Sequence, residues 1–261
     1  MLGKLIKHEF RATYKTYLLL FGTLLLLTVL SKITFKVDTG FIFYEIVRGL
    51  FLVIDIVLMV AVGFVGTFLV IARVYRHLLK DEGYLSHTLP VKTSQHILTK
   101  CITGTVWILL SYIMMAIAIL IYVGEYGEVW DAVTDFFNDL SEEPKLIGAA
   151  ILFLLICIVA VASNVLSYIA ALSLGQLFKK HKIVGAVVFW FVMNYALSIV
   201  LTVIQFFTGT LFDRINDLDF RVDGYVFLYT VLTVILIGEI LLSGIYFFIS
   251  NYMLTKKLNL E

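Results

Sequence analysis

The sequence predicts an all-α polytopic membrane protein with six transmembrane helices, and three observations predict it. Hydrophobic residues make up 61% of the 261 positions and the mean hydropathy is +0.99, whereas a soluble domain has about 45–50% apolar residues. Six apolar runs are each long enough to cross a bilayer as a helix, which takes about 20 residues. The basic residues between those runs fall unevenly on alternate sides. With only two prolines and no low-complexity linker, a single transmembrane domain is expected over 1–261. Cys101 and Cys157 lie near or within the apolar runs and form no CxxC, so no disulfide framework is expected.

Residues 2–16 come first. Leu2, Leu5, Ile6, Phe10 and Tyr14 share one face of a helix, while Lys4, Lys7, His8, Arg11 and Lys15 share the other. Such a helix lies in the headgroup plane of an anionic leaflet. We expect residues 1–16 to form an amphipathic elbow helix that hinges the first span; the plainer alternative is an orientation signal. No A-x-A-like site follows it, so the first run is expected to stay as an anchor and not to be cleaved.

The spans are expected near 17–35, 46–72, 102–123, 146–174, 183–207 and 225–250. Backbone polar groups in lipid must bond within their own segment, which makes each a helix. Several exceed the minimum length and should tilt or project into water. Residues 124–145 are acidic, with Glu125, Glu128, Asp131, Asp135, Asp139, Glu142 and Glu143 against Lys145. Val129, Trp130, Val133, Phe136, Phe137 and Leu140 recur there at helical spacing, predicting a short surface helix that ends near Pro144. The loop 209–224 adds Asp213, Asp217, Asp219 and Asp223 against two arginines. A field of this sign attracts cationic peptides, although acidic outer loops also simply accompany the usual charge asymmetry.

Lys and Arg set the orientation. Residues 1–16, 73–101, 175–183 and 251–261 hold four, five, three and two of them, 14 of the 20. The opposite side holds Lys32, Lys36, Arg48, Lys145, Arg214 and Arg221. The richer side is expected to be cytoplasmic, with both termini inside.

Asp55 and Glu239 are the carboxylates that read as intramembrane. Charge there costs at least about 3 kcal/mol, so both face a bundle interior, a cavity or a partner. They either line a translocation path with Asn164 and Asn194, or are hydrogen-bonded packing contacts, with Arg48 or Arg73 as candidate neighbours for Asp55. Ser163, Ser167, Ala171 and Gly175 recur every four residues, a ridge of small side chains that lets another helix approach closely. GxxxxGK[ST], HExxH and GxSxG are all missing, so the chain is not expected to be an enzyme or to cradle phosphates itself. The histidines at 8, 77, 87, 96 and 181 form no ligand set; neither a metal nor a nucleic acid is expected.

The polar interruption Arg73–Lys100 separates the second and third spans. Asp81 and Glu82 suit the positive end of a short helix running through Gly83, Tyr84, Leu85, His87 and Leu89, and Pro90 stops it. Thr93 or Ser94 can cap the helix that follows. The segment is either a docking element for another protein or an idle hairpin; physics alone leaves the two open.

EGYLSHTLPVKTSQHILTK (Glu82–Lys100) resembles the loop after the second span in exporter-like type-2 permeases of ATP-binding-cassette (ABC) transporters, especially the six-span subunits of Gram-positive bacteria. LIKHEFRATYKTY (Leu5–Tyr17) and YMLTKKLNL (Tyr252–Leu260) are similar to the ends of those permeases. The resemblance implies an elbow helix, a coupling helix at Asp81–Leu89, and pairing with a second, identical or different, permease chain. It also implies two cytoplasmic ATPase subunits that carry the ATP and magnesium, this chain holding no cofactor of its own. Lys179, Lys180 and Lys182 would form a smaller second contact. The function implied is export, with an antimicrobial peptide or a lipid-like compound as the expected cargo. The competing expectations are a non-transporting partner of the same fold (sensor, immunity or assembly protein) and a secondary transporter using Asp55 and Glu239.

Overall fold

The computed structural model describes residues 2–36, 42–79, 91–123, 127–178, 180–217 and 224–256. They form seven helices: α1 (Leu2–Lys36), α2 (Ile42–Leu79), α3 (Thr93–Val123), α4 (Gly127–Glu142), α5 (Pro144–Gly175), α6 (Lys182–Asp217) and α7 (Gly224–Lys256). No strand occurs among the described residues. Six of the seven, all but the short α4, are long and apolar enough to cross a membrane, as the composition predicts. At about 1.5 Å per residue the 35 residues of α1 reach roughly 50 Å, well beyond the ~30 Å hydrocarbon layer. The expected tilt or projection into water follows from that excess.

The helices fall into two compact units. The first holds α1, α2 as far as Arg76, α3 and α4; the second holds α5, α6, α7 and the last turn of α2 from His77. In the first unit, contacts between α1 and α2 pair Glu9 with Arg73, Tyr17 with Gly66 and Thr28 with Asp55. Numbers that rise on one helix as they fall on the other make the pair antiparallel. Contacts between α1 and α3 pair Glu9 with Lys100, Thr13 with Trp107 and Ser31 with Tyr122, which makes that pair parallel. Leu24, Val62 and Ala118, one from each helix, form the apolar centre, lined by Phe21, Leu58 and Met115.

The elbow expectation changes at this point. Residues 2–16 are helical, but they run without a break into the first apolar run as part of α1. The reason lies in one stripe: Glu9, Tyr17, Leu24, Thr28 and Ser31 are all buried, at intervals that keep to a single helical period. A hinge near residue 16 would turn half of that stripe away from α2 and α3. The basic face is as expected, with Lys4, Lys7, His8, Arg11 and Lys15 exposed; Tyr14 is exposed as well, because the buried stripe is centred on Glu9 and Tyr17.

In the second unit the ridge Ser163, Ser167, Ala171, Gly175 is buried along its whole length. A Cβ on Gly175 would stand 2.6 Å from the Lys182 carbonyl oxygen and 2.7 Å from the Ala186 nitrogen, so α5 and the start of α6 meet backbone to backbone. At the other end of α5, the Tyr229 hydroxyl of α7 donates to the Lys145 carbonyl at 2.5 Å and its ring tip fills the space a Cβ on Gly148 would need. Pro144 opens α5, the helix position where a missing N–H costs nothing. Within the long apolar helices the described outward faces carry large apolar side chains such as Leu18, Phe64, Phe191 and Leu241, a surface suited to lipid and not to water.

Candidate functional site

Two polar clusters stand at opposite ends of the three-helix packing in the first unit. The first joins the two ends of the polar interruption. Arg73 Nε of α2 and Lys100 Nζ of α3 both donate to one oxygen, Glu9 Oε1 of α1, the lysine at 2.6 Å. Glu9 is 7% exposed. It is the one acid between Leu2 and Lys36, and the inward stripe of α1 carries it between the other two helices. Beside it the Trp107 indole N–H donates to the Thr13 hydroxyl at 2.9 Å, and the Thr13 hydroxyl lies 2.9 Å from the Glu9 carbonyl. The Tyr17 ring stacks on Trp107 at 4.2 Å between centroids, and its hydroxyl donates to the Gly66 carbonyl at 2.8 Å. A small cavity opens here between Glu9, Thr13, Arg73, Lys100 and Trp107.

This arrangement makes a clasp. Arg73 lies six residues before the end of α2 and Lys100 seven after the start of α3, so one carboxylate ties the neck of the loop and binds α1 to it. The sequence pattern places Arg73 and Lys100 in the loop and its supports but gives no role to Glu9. The signal available is its solitude: a single acid four residues before Thr13 and eight before Tyr17, on the stripe that continues into the span.

The second cluster surrounds Asp55, which is 1% exposed. Thr28 Oγ1 of α1 lies 3.1 Å from Asp55 Oδ1. Ser31 of α1 is hydrogen-bonded to the Tyr122 hydroxyl of α3, which stands beside the same carboxyl. The neighbours proposed from sequence are engaged elsewhere. Arg73 is on Glu9; Arg48 pairs with Glu45 at 3.4 Å, donates to the Phe35 carbonyl at 3.0 Å and lies over the Phe35 ring.

The other predicted residues are spread more widely. Glu239 is half-buried on α7, where its carbonyl accepts from Ser243 at 2.8 Å. Asn164 is exposed on α5 beside the buried ridge, and the Asn194 amide donates to the Trp190 carbonyl at 2.8 Å within α6. Neither asparagine shares a cluster with Asp55 or Glu239 among the described contacts. Lys180 is exposed and Lys182 half-buried, as the first residue of α6. Asp81, Glu82, Gly83, Tyr84, Leu85, His87, Leu89, Pro90 and Lys179 lie outside the described residues. On either side of residues 81–90, α2 runs seven residues past Ala72, and α3 begins at Thr93, where Gln95 N–H bonds the Lys92 carbonyl at 2.9 Å. Among the described residues no group of His, Cys, Asp and Glu is arranged to hold a metal ion. Compared with protein-family models, curated proteins and solved structures, the chain matches none of them.

Proposed function

We propose that this chain is the membrane subunit of an ATP-driven exporter of the ABC type. A separate ATPase, bound in two copies on the cytoplasmic side, hydrolyses ATP; this chain pairs with a second permease chain and supplies the path. The carrying observation is the Arg73–Lys100 segment, whose Glu82–Lys100 pattern resembles the coupling loop of such permeases. The clasp on Glu9 supports the reading, because a loop that receives force needs a neck that does not give. In this reading Asp81–Leu89 docks in a groove of the ATPase, with Glu82, Tyr84 and His87 as contacts and Lys179, Lys180 and Lys182 as a smaller second contact. ATPase closure then displaces the loop, and the clasp moves α1, α2 and α3 as one. The acidic residues of α4 and of the 209–224 stretch face the outside in this reading and favour a cationic peptide as cargo, with a lipid-like compound as the alternative. The sequence reads that stretch as a loop, but its residues as far as Asp217 belong to α6.

Purification of the native complex tests this. An ATP-hydrolysing subunit should co-purify with the wild-type chain and be lost when Glu82, Tyr84 and His87 are replaced together by alanine, while the variant stays monodisperse. Retention of the same subunit by the triple variant places docking elsewhere. Absence of any ATPase from the wild-type complex removes the reading and favours ion-coupled transport, for which the buried Asp55 cluster is the supporting observation. An ATPase complex that assembles and moves nothing indicates a sensor, immunity or assembly partner.

A further inference from the structure

The Asp55 cluster carries a conclusion that does not depend on the exporter reading, and it follows from counting protons. Asp55 sits on the inward face of α2, while Val53, Ile54, Ile56 and Val57 beside it are exposed to the lipid side. Thr28 and Ser31 are 0% exposed, so the carboxyl is cut off from water. Among the described residues it has no ion pair; the bridges formed are those of Arg48, Arg73 and Lys100 with glutamates.

Thr28 Oγ1 stands 2.9 Å from the Leu24 carbonyl and 3.1 Å from Asp55 Oδ1, yet a hydroxyl has one proton. The carbonyl can only accept and is the nearer of the two, in the usual back-bond to the preceding turn. With the proton given to Leu24, Thr28 offers Asp55 a lone pair, and a carboxyl that donates its own proton completes the 3.1 Å contact. The Tyr122 hydroxyl, itself bonded to Ser31, stands beside the carboxyl, and Asp55 Oδ2 is buried with no donor in hydrogen-bonding geometry. That suits the carbonyl oxygen of a neutral acid, whereas half of a carboxylate left bare in a dry site would be far more costly. Lipid around the span points the same way, since an uncompensated charge there is expensive.

We propose that Asp55 is a proton-binding site, holding a proton between its Oδ1 and Thr28 Oγ1 while α1, α2 and α3 are packed as described, and releasing it when they separate. The groups that face it are Thr28 and Ser31 from α1 and Tyr122 from α3, of which Tyr122 alone is titratable. Lys32 on α1 and Glu45 and Arg48 on α2, the nearest charged side chains along those helices, form no ion pair with it. Protonation of this site and the packing of the three helices are thereby linked: moving one moves the other.

Infrared difference spectroscopy of the full chain in lipid nanodiscs reads the proton directly. At neutral pH a protonated-carboxyl C=O band is expected, shifted by ¹³C-aspartate labelling, absent in Asp55→Asn and unchanged by sodium. Asp55→Asn, a neutral side chain of the same shape, should also melt within roughly 4 °C of the wild type. No aspartate band, or a band present only when sodium is withheld, overturns the proposal; the second result would make this a sodium site. Failure of Asp55→Asn to fold also counts against it, because a neutral isostere should be tolerated.

Discussion

Glu9 ties three helices together, because two cations from two helices share one of its oxygens. Removing one partner of a buried ion pair costs about 3–5 kcal/mol, since the remaining charges stay desolvated. Glu9→Ala should therefore lower stability by about that much, with Arg73 and Lys100 both left facing the gap. Glu9→Gln keeps the volume and should cost less. Chemical or thermal unfolding in nanodiscs measures both, and a loss under ~1 kcal/mol for Glu9→Ala would mean that the clasp is loose. At Gly175 the limit is space: a new Cβ meets the backbone of Lys182 and Ala186, and backbone cannot rotate away. Gly175→Val should cost at least the ~1–3 kcal/mol typical of overpacking, whereas Ser167→Ala, on the same ridge with its hydroxyl already turned to the Asn164 carbonyl at 2.7 Å, should cost little.

At the scale of elements, α1 separates a hinged arm from a continuous strut. Spin labels at Lys7 and Leu26, both exposed, should stand roughly 28 Å apart along one helix axis at about 1.5 Å per residue. A right-angled elbow near residue 16 would bring them to about 20 Å on the same rise per residue, and that distance would contradict a continuous α1. The six spans were legible because each apolar run exceeds the membrane minimum and nothing else in the chain does. The ridge at Ser163, Ser167, Ala171 and Gly175 was legible from spacing alone. So was α4, whose Trp130, Phe136 and Phe137 fall on one side and Asp131 and Asp135 on the other. The clasp was harder to see, because its partners lie 64 and 91 residues from Glu9 and only the register of α1 against α2 and α3 brings them together. Asp55 was legible as buried, but its surroundings are hydroxyls from two other helices and not the arginines its own helix offers.

At the scale of the whole molecule, the charge asymmetry assigns an orientation that labelling can check. With Cys101 and Cys157 replaced, single cysteines at Lys7 and Lys256 should react with a membrane-impermeant maleimide only from the cytoplasmic side. One at Asp135 should react only from the outside. The reverse pattern would put Arg73–Lys100 out of reach of any cytoplasmic ATPase and end the exporter reading at once. With that orientation, the point where force enters the chain decides its function. The most direct measurement is photo-crosslinking from position 84 in native membranes, with a reactive amino acid in place of Tyr84. Docking of Asp81–Leu89 on an ATPase should give a single major adduct with a chain that binds and hydrolyses ATP. Adducts with lipid alone, or with proteins that bind no nucleotide, would contradict it.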